Sequence, residues 1–271
     1  VRDSNALYYH SYNDQFDSKN NIFYSASLSS PALYVYSSTG YTGNYNDLFS
    51  NYTYPVYYGG NQSFTEYQAT GNGASSVNLE PVYNTDSTLV PLALVLDNLG
   101  TPIGSITDDI NGSIRSETTP DMGAIEFTVA GSFLSGNYTV GTGGDFDSIS
   151  NAINSLVIYG ISGPVTFNIL PGTYTEQLTI GEVYGASSVN TLTLQSSTGD
   201  TADVSWQYTP TSSANYVLKV NGTDHLTIKN ISFDVSASSS YGTILEKSEE
   251  TDSLKIEGNE FRGYDLSLIH I

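Results

Sequence analysis

The chain has 271 residues, 28 acidic against 8 basic side chains, a formal net charge of −20 and no cysteine. These numbers exclude a disulfide framework and thiolate metal sites, and they set the chain against nucleic acid and anionic membrane as partners. No run of about 18 apolar residues occurs, so no helical membrane span is encoded. Cations and neutral glycans remain compatible with the charge, and the plainer reading is that acidity keeps a β-rich chain soluble. The 22 tyrosines, with abundant Ser, Thr, Asn and Gly, suit exposed strands and turns. The length allows one large domain or two modest ones. The chain opens at Val1 and not at Met, so the lack of a visible signal peptide carries no information.

The first element with a pattern is NDQFDSKNNIF, residues 13–23, whose Asp14, Phe16 and Phe23 return in two later segments. Next comes the tyrosine-rich stretch YTGNYNDLFSNYTYPVYYGG, residues 41–60. Exposed phenol rings offer flat apolar faces and a hydroxyl, which suits contact with sugars or proteins. Tyr52, Tyr54, Tyr57 and Tyr58 are the binding candidates, with packing of alternate tyrosines on the flank of the fold as the competing reading. Ser63 and Glu66 form a capping box for a short helix that Gly71 terminates. The stretch DDINGSIRSETTPDMGAIEF, residues 108–127, closes a first unit, and TVAGSFLSGN, residues 128–137, holds the break. A second helix is expected from Asp145, with Phe146, Ile149, Ile153, Leu156 and Val157 at helical spacing and Asp145 or Asp147 as its cap. Placed before the first coil of the second unit, it covers an open end that would otherwise expose strand edges.

Short strands follow. Val165, Phe167 and Ile169 form one apolar alternation; Leu178 with Ile180, Leu192 with Leu194, and Val217 to Val220 form others. TDHLTIKNISF at 223–233 and TDSLKIEGNEF at 251–261 are a repeat in which Asp224, Leu226, Ile228 and Phe233 recur 28 residues later. That period lies within the roughly 20–45 residues of solenoid repeats. Leu and Ile two apart share one side of a strand. The Phe five residues on belongs to the next side, after a corner at Lys229-Asn230 or Glu257-Gly258. The predicted fold class is all-β, a right-handed parallel β-helix with a short capping helix at the start of the second unit. The predicted division is residues 1–128 as the end of one unit, 129–136 as a linker and 137–265 as the start of a second. Residues 266–271, LSLIHI, are read separately: CTG TCT CTT ATA CAC ATC encodes them, and that DNA resembles a transposase-end sequencing adapter. They are expected to be read-through on a fragment of an environmental gene, and His270 carries no weight.

Residues 63–127 resemble the closing segment, and residues 137–233 the opening, of right-handed β-helix units in secreted, multi-unit surface proteins of the Bacteroidetes type, within the pectin-lyase-like superfamily. SFTEYQATG, SVNLEPVY and PDMGAIEF carry the first match; NYTVGTGGDFDSISNAINSL and GPVTFNILPGTYTEQLTI carry the second. The resemblance implies export and attachment to a bacterial cell surface. It is specific for fold and not for activity.

Three chemistries compete. The stretch from Gly141 to Phe146 followed by PGTYTE looks like the first coil of pectin methylesterases, whose catalytic aspartates and arginine come from later coils, beyond Phe261 here; Tyr174 and Glu176 read as corner-fixing residues. A pectate-lyase reading needs a basic residue and calcium; Lys219 and Lys229 are the candidates, with a solvated face as the alternative. Glycoside hydrolysis needs paired carboxylates; Asp224 and Asp252 would stand about 5 Å apart if coils stack, yet both sit where Asp turns the chain. Asp108, Asp109 and Asn111 offer calcium-type oxygens without EF-hand spacing, and read as a turn before Gly112. His10 and His225 have no ligand spacing. The sequons at Asn51, Asn61, Asn111, Asn137, Asn221 and Asn230 suit an Asn- and Thr-rich composition. The expectation is a non-catalytic secreted or cell-surface repeat protein that contacts polysaccharide or a cell-surface glycan, with no catalytic residue, cofactor or metal in the chain. The alternative is an extracellular carbohydrate-active enzyme, esterase or lyase, whose site lies in coils beyond it.

Overall fold

A computed structural model describes residues 5–10, 15–83, 89–236, 241–247, 251 and 253–263. LSLIHI, Asp14 and Asp252 lie outside them. The chain divides into two compact units, Val1–Gly131 and Ser132–Ile271. Each contains a parallel β-solenoid.

In the first unit, β1 (Leu7–Tyr9), β2 (Phe16–Lys19) and β3 (Ile22–Ser25) form one coil, and β4 (Leu33–Val35), β5 (Tyr41–Asn44) and β6 (Asp47–Ser50) form the next. β7 (Val56–Tyr58) opens a third coil, and β8 (Asn61–Gln62) folds back on it antiparallel. Strands of three or four residues have no stability alone; here they stack in register. Leu7 lies over Leu33 and Val56, and Tyr9 over Val35 and Tyr58. Leu33, Val35, Leu48 and Val56 are fully buried by that stacking. Corners use left-handed backbone: Asn20 has φ 56°. Fully buried Asn46 ties adjacent coils, its Oδ1 accepting from the Asn21 N–H at 3.0 Å and its Nδ2 donating to the Ser18 carbonyl at 2.8 Å.

Helix α1 (Phe64–Ala69) begins at Ser63 with both halves of the capping box in place, and Gly71 follows its end at φ 90°. The closing segment packs Ala93, Leu96 and Met122 into a small core of their own. A polar clasp fixes it. Arg115 donates to the carbonyls of Asp121 (3.1 Å) and Gly123 (2.6 Å), and Asp121 accepts from the N–H groups of Asn98 (2.7 Å) and Phe127 (2.5 Å).

The second unit starts with β9 (Leu134–Val140), then α2 (Ile149–Tyr159), β10 (Ile161–Ile169), β11 (Gly172–Thr175) and β12 (Leu178–Ile180). Three further groups repeat the path: β13 (Leu192–Ser196), β14 (Val204–Tyr208), β15 (Leu218–Val220); β16 (Leu226–Lys229), β17 (Ser232–Val235), β18 (Leu245–Lys247); and β19 (Leu254–Glu257), β20 (Glu260–Arg262). The sheets run β9-β10-β13-β16-β19, β11-β14-β17-β20 and β12-β15-β18, all parallel. The 28-residue repeat is the register itself: Leu226 pairs with Leu254, Ile228 with Ile256 and Phe233 with Phe261. Asn230 (φ 56°) and Gly258 (φ 62°) turn the two predicted corners. Trp206, Phe233 and Phe261 stack through the core at 5.3 and 5.4 Å.

Helix α2 buries Ile149, Ala152, Ile153 and Leu156. It starts later than its periodicity predicts, and its cap is Ser148, whose hydroxyl accepts from the Asn151 N–H at 3.1 Å. Asp145 is not the cap because the glycine-rich loop folds it back onto Thr139, whose N–H and hydroxyl reach its carboxylate at 2.7 and 2.8 Å. The same loop bridges Phe146 to Val140 and packs it on Tyr138 and Phe167, off the helix.

Candidate functional site

PGTYTEQLTI occupies the first corner after β10, and both of its singled-out side chains are tied into the scaffold. The Tyr174 hydroxyl lies 2.8 Å from the Leu170 carbonyl and 3.2 Å from the Val140 carbonyl. Burial, then the nearby Glu176 charge, raise this phenol above its usual range. The Glu176 carboxylate receives the first N–H groups of α2, Ile149 at 3.2 Å and Ser150 at 2.7 Å. An anion at a helix N-terminus satisfies orphan donors and complements the helix dipole.

The other sequence candidates separate. Lys219 stands on the outer face of β15 and is held by Glu246 at 2.7 Å. Lys229 stands on β16 in register with Glu257. Asp224 begins its repeat beside Thr223, whose hydroxyl donates to the carbonyls of Ile180 and Gly181; its repeat partner lies outside the described residues. The Asp109 carboxylate accepts from the N–H groups of Asn111 and Ser113 at 2.8 Å and of Glu126 at 3.0 Å. Those bonds, the Glu126 one first, hold it below the usual carboxylate range, and Asp108 bridges Ile114 across the turn. His225 sits at a left-handed corner position, φ 54°. On the second unit's first sheet the outward rows begin neutral, with Thr166, Thr193 and Thr227 in one and Gln195 donating to Asn168 in the next at 2.7 Å, and they become charged at Lys255 in the first and at Lys229 and Glu257 in the second.

The tyrosines of the first unit form the one extended aromatic surface among the described residues. Alternation on β1, β4 and β7 points Tyr8, Tyr34 and Tyr57 outward and their neighbours inward. The in-register pairing stacks them: Tyr8 on Tyr34 at 4.8 Å and 15°, Tyr34 on Tyr57 at 4.1 Å and 2°. His10 and Tyr36 stack beside them at 4.7 Å. Tyr8 is 53% exposed and Tyr36 45%. Burial, then the Tyr57 hydroxyl, raise the Tyr34 phenol above its ordinary range.

The four predicted binding tyrosines therefore divide. Tyr57 belongs to the outward ladder. Across the β7–β8 hairpin it faces Asn61, whose amide donates to the Tyr52 hydroxyl at 3.3 Å, and Tyr54 lies edge-on to Tyr52 at 5.7 Å. Tyr58 turns inward, packs on the core and against Tyr67, and accepts from Asn72 at 3.1 Å. Tyr8, Tyr34 and Tyr36 were missed by reading the dense window alone. The signal for Tyr8 and Tyr34 is the recurrence of LYY, LYV and VYY at 7–9, 33–35 and 56–58, and Tyr36 follows the second of these.

Comparison of the chain with family models, curated proteins and solved structures gives no match.

Proposed function

We propose that this chain is part of a non-catalytic, secreted or cell-surface β-solenoid protein that contacts neutral glycans, built from right-handed units of the Bacteroidetes surface-protein kind. The observation that carries the reading is the outward Tyr8–Tyr34–Tyr57 ladder, a solvent-facing strip of phenols without a charged side chain in its rows. Apolar ring edges with hydroxyls that both donate and accept suit sugar surfaces, which mix C–H and O–H groups. An excess of acidic residues disfavours acidic glycans as partners. Tyr174 and Glu176 bond to the scaffold, which gives the esterase-like opening PGTYTE a structural explanation. The test is affinity electrophoresis of the full chain in gels carrying neutral polysaccharides, alongside assays for released methanol and unsaturated sugars. Retardation without product supports the reading; product release overturns it.

One observation favours the alternative, an extracellular carbohydrate-active enzyme. Asp234, Glu260 and Arg262 gather on the outer face of β17 and β20, with Arg262 3.6 Å from Asp234. Ser205 and Ser232 also donate to Asp234, at 3.1 and 3.3 Å. Acid and base together on adjacent coils are what an esterase or lyase site would extend.

A further inference from the structure

We infer that Tyr34 and Tyr57 are an oxidative cross-linking site, at which a peroxidase-type oxidant joins two successive coils of the first unit through a dityrosine bond. Parallel in-register pairing places Leu33 over Val56 and Tyr34 over Tyr57. The two ring centroids lie 4.1 Å apart, with the ring planes 2° from parallel. Parallel rings at that centroid separation are close to van der Waals contact, so ortho carbons of the two phenols come within reach of each other. Both rings stand on an outward face that a diffusing oxidant reaches.

The step balances. Each phenol loses one electron and one proton, giving two phenoxyl radicals. An ortho carbon of one ring bonds to an ortho carbon of the other. The hydrogen on each of those carbons then moves to its own oxygen, which restores both phenols. Hydrogen peroxide, reduced through the peroxidase, takes up the two electrons and two protons and leaves as two waters.

Other tyrosine pairs are placed less well. Tyr8 and Tyr34 are 4.8 Å apart and tilted by 15°. Tyr52 with Tyr54, and Tyr58 with Tyr67, meet near edge-on at 71°, and Tyr67 is fully buried. The chain has 22 tyrosines and no cysteine, so a covalent tie between coils is open to phenol chemistry and closed to disulfides.

The experiment treats the dilute, intact 271-residue chain with hydrogen peroxide and a haem peroxidase, then reads dityrosine fluorescence and maps peptides by mass after proteolysis. The expected result is a monomer two hydrogen atoms lighter whose leading cross-link joins Tyr34 to Tyr57. Tyr57→Phe keeps the stacked ring and is expected to lose most of the fluorescence, while Tyr52→Phe keeps it. Unfolding in urea before oxidation is expected to abolish the preference for this pair. A map led by any other pair, or an undiminished yield in Tyr57→Phe, overturns the inference.

Discussion

Replacing Glu176 with alanine asks what PGTYTEQLTI is for. Its carboxylate receives two backbone N–H groups of the first turn of α2, at 3.2 and 2.7 Å, while Ser148 caps the Asn151 N–H independently. A hydrogen bond to a charged acceptor contributes about 1.5–3 kcal/mol, and an anion at a helix N-terminus about 0.3–1 kcal/mol more. Water re-solvates part of what the carboxylate leaves behind, because the site is only half-buried. The expected loss for Glu176→Ala is therefore about 2–3 kcal/mol, and a domain of this size loses roughly 3 °C per kcal/mol, or about 6–9 °C. Glu176→Gln keeps one neutral acceptor and is expected to fall about half as far. Trp206 is the only tryptophan, is fully buried in the second unit, and donates its indole N–H to the Glu176 carbonyl at 2.9 Å. Its fluorescence during thermal unfolding reports the unit that carries the change. If Glu176→Ala melts with or above the parent chain, the carboxylate is not a structural cap, and a catalytic role, where removal of a strained charge stabilises, regains ground.

The remaining predictions concern the same corner and the closing clasp. Tyr174→Phe leaves the Val140 and Leu170 carbonyls without their hydroxyl partner and is expected to cost about 1 kcal/mol by the same fluorescence assay. Gly141→Ala is expected to cost more, because its backbone sits at φ 128°, where a side chain is strained, and its Cβ would meet the Tyr174 hydroxyl. In the first unit, burial pushes Asp121 from 3.8 up to about 6. Between those values the folded chain binds a proton that the unfolded chain does not, so stability falls as pH rises from about 4 to about 6, by at most roughly 3 kcal/mol. Calorimetry at pH 5 and pH 7.5 should show the first unit melting higher at pH 5. Asp121→Asn should flatten most of that slope, leaving the part due to Glu80, which burial also raises.

The fold was legible because a solenoid repeats its physics. Leu226, Ile228 and Phe233 return as Leu254, Ile256 and Phe261 because each coil must bury the same row. NDQFDSKNNIF marked the same device in the first unit: its Asn20 takes the left-handed corner that Asn230 takes in the second, between strands of the same lengths. The helix was legible in its apolar face and not in its start. Asp145 has the chemistry of a cap, and only the glycine-rich loop decides that its partner is Thr139. The tyrosine ladder was half legible. Adjacent residues of a strand point to opposite faces, so Tyr57 and Tyr58 could not both be surface rings, and the sequence alone sufficed to separate them. The register with Tyr8 and Tyr34 was harder to see, because the loops between these strands differ in length and the spacing falls from 26 to 23 residues.

Parallel stacking also decides what such a ladder can offer. Rings repeated at the coil spacing lie face to face, so Tyr34 has Tyr8 on one face and Tyr57 on the other. The core does the same with Trp206, Phe233 and Phe261, where covered faces mean burial and packing. Outside, covered faces mean that a middle rung cannot receive a sugar ring flat against it. What remains to distinguish the outer ladder from the inner one is its row of ring edges and phenol oxygens. A glycan held there is held by hydroxyls, not by face stacking. Changing Tyr8, Tyr34 and Tyr57 together to Phe keeps every ring and removes every oxygen. The expected outcome is a chain that melts within about 1 kcal/mol of the parent and is no longer retarded by neutral polysaccharide. Undiminished retardation would place the contact elsewhere and leave the ladder as flank packing alone.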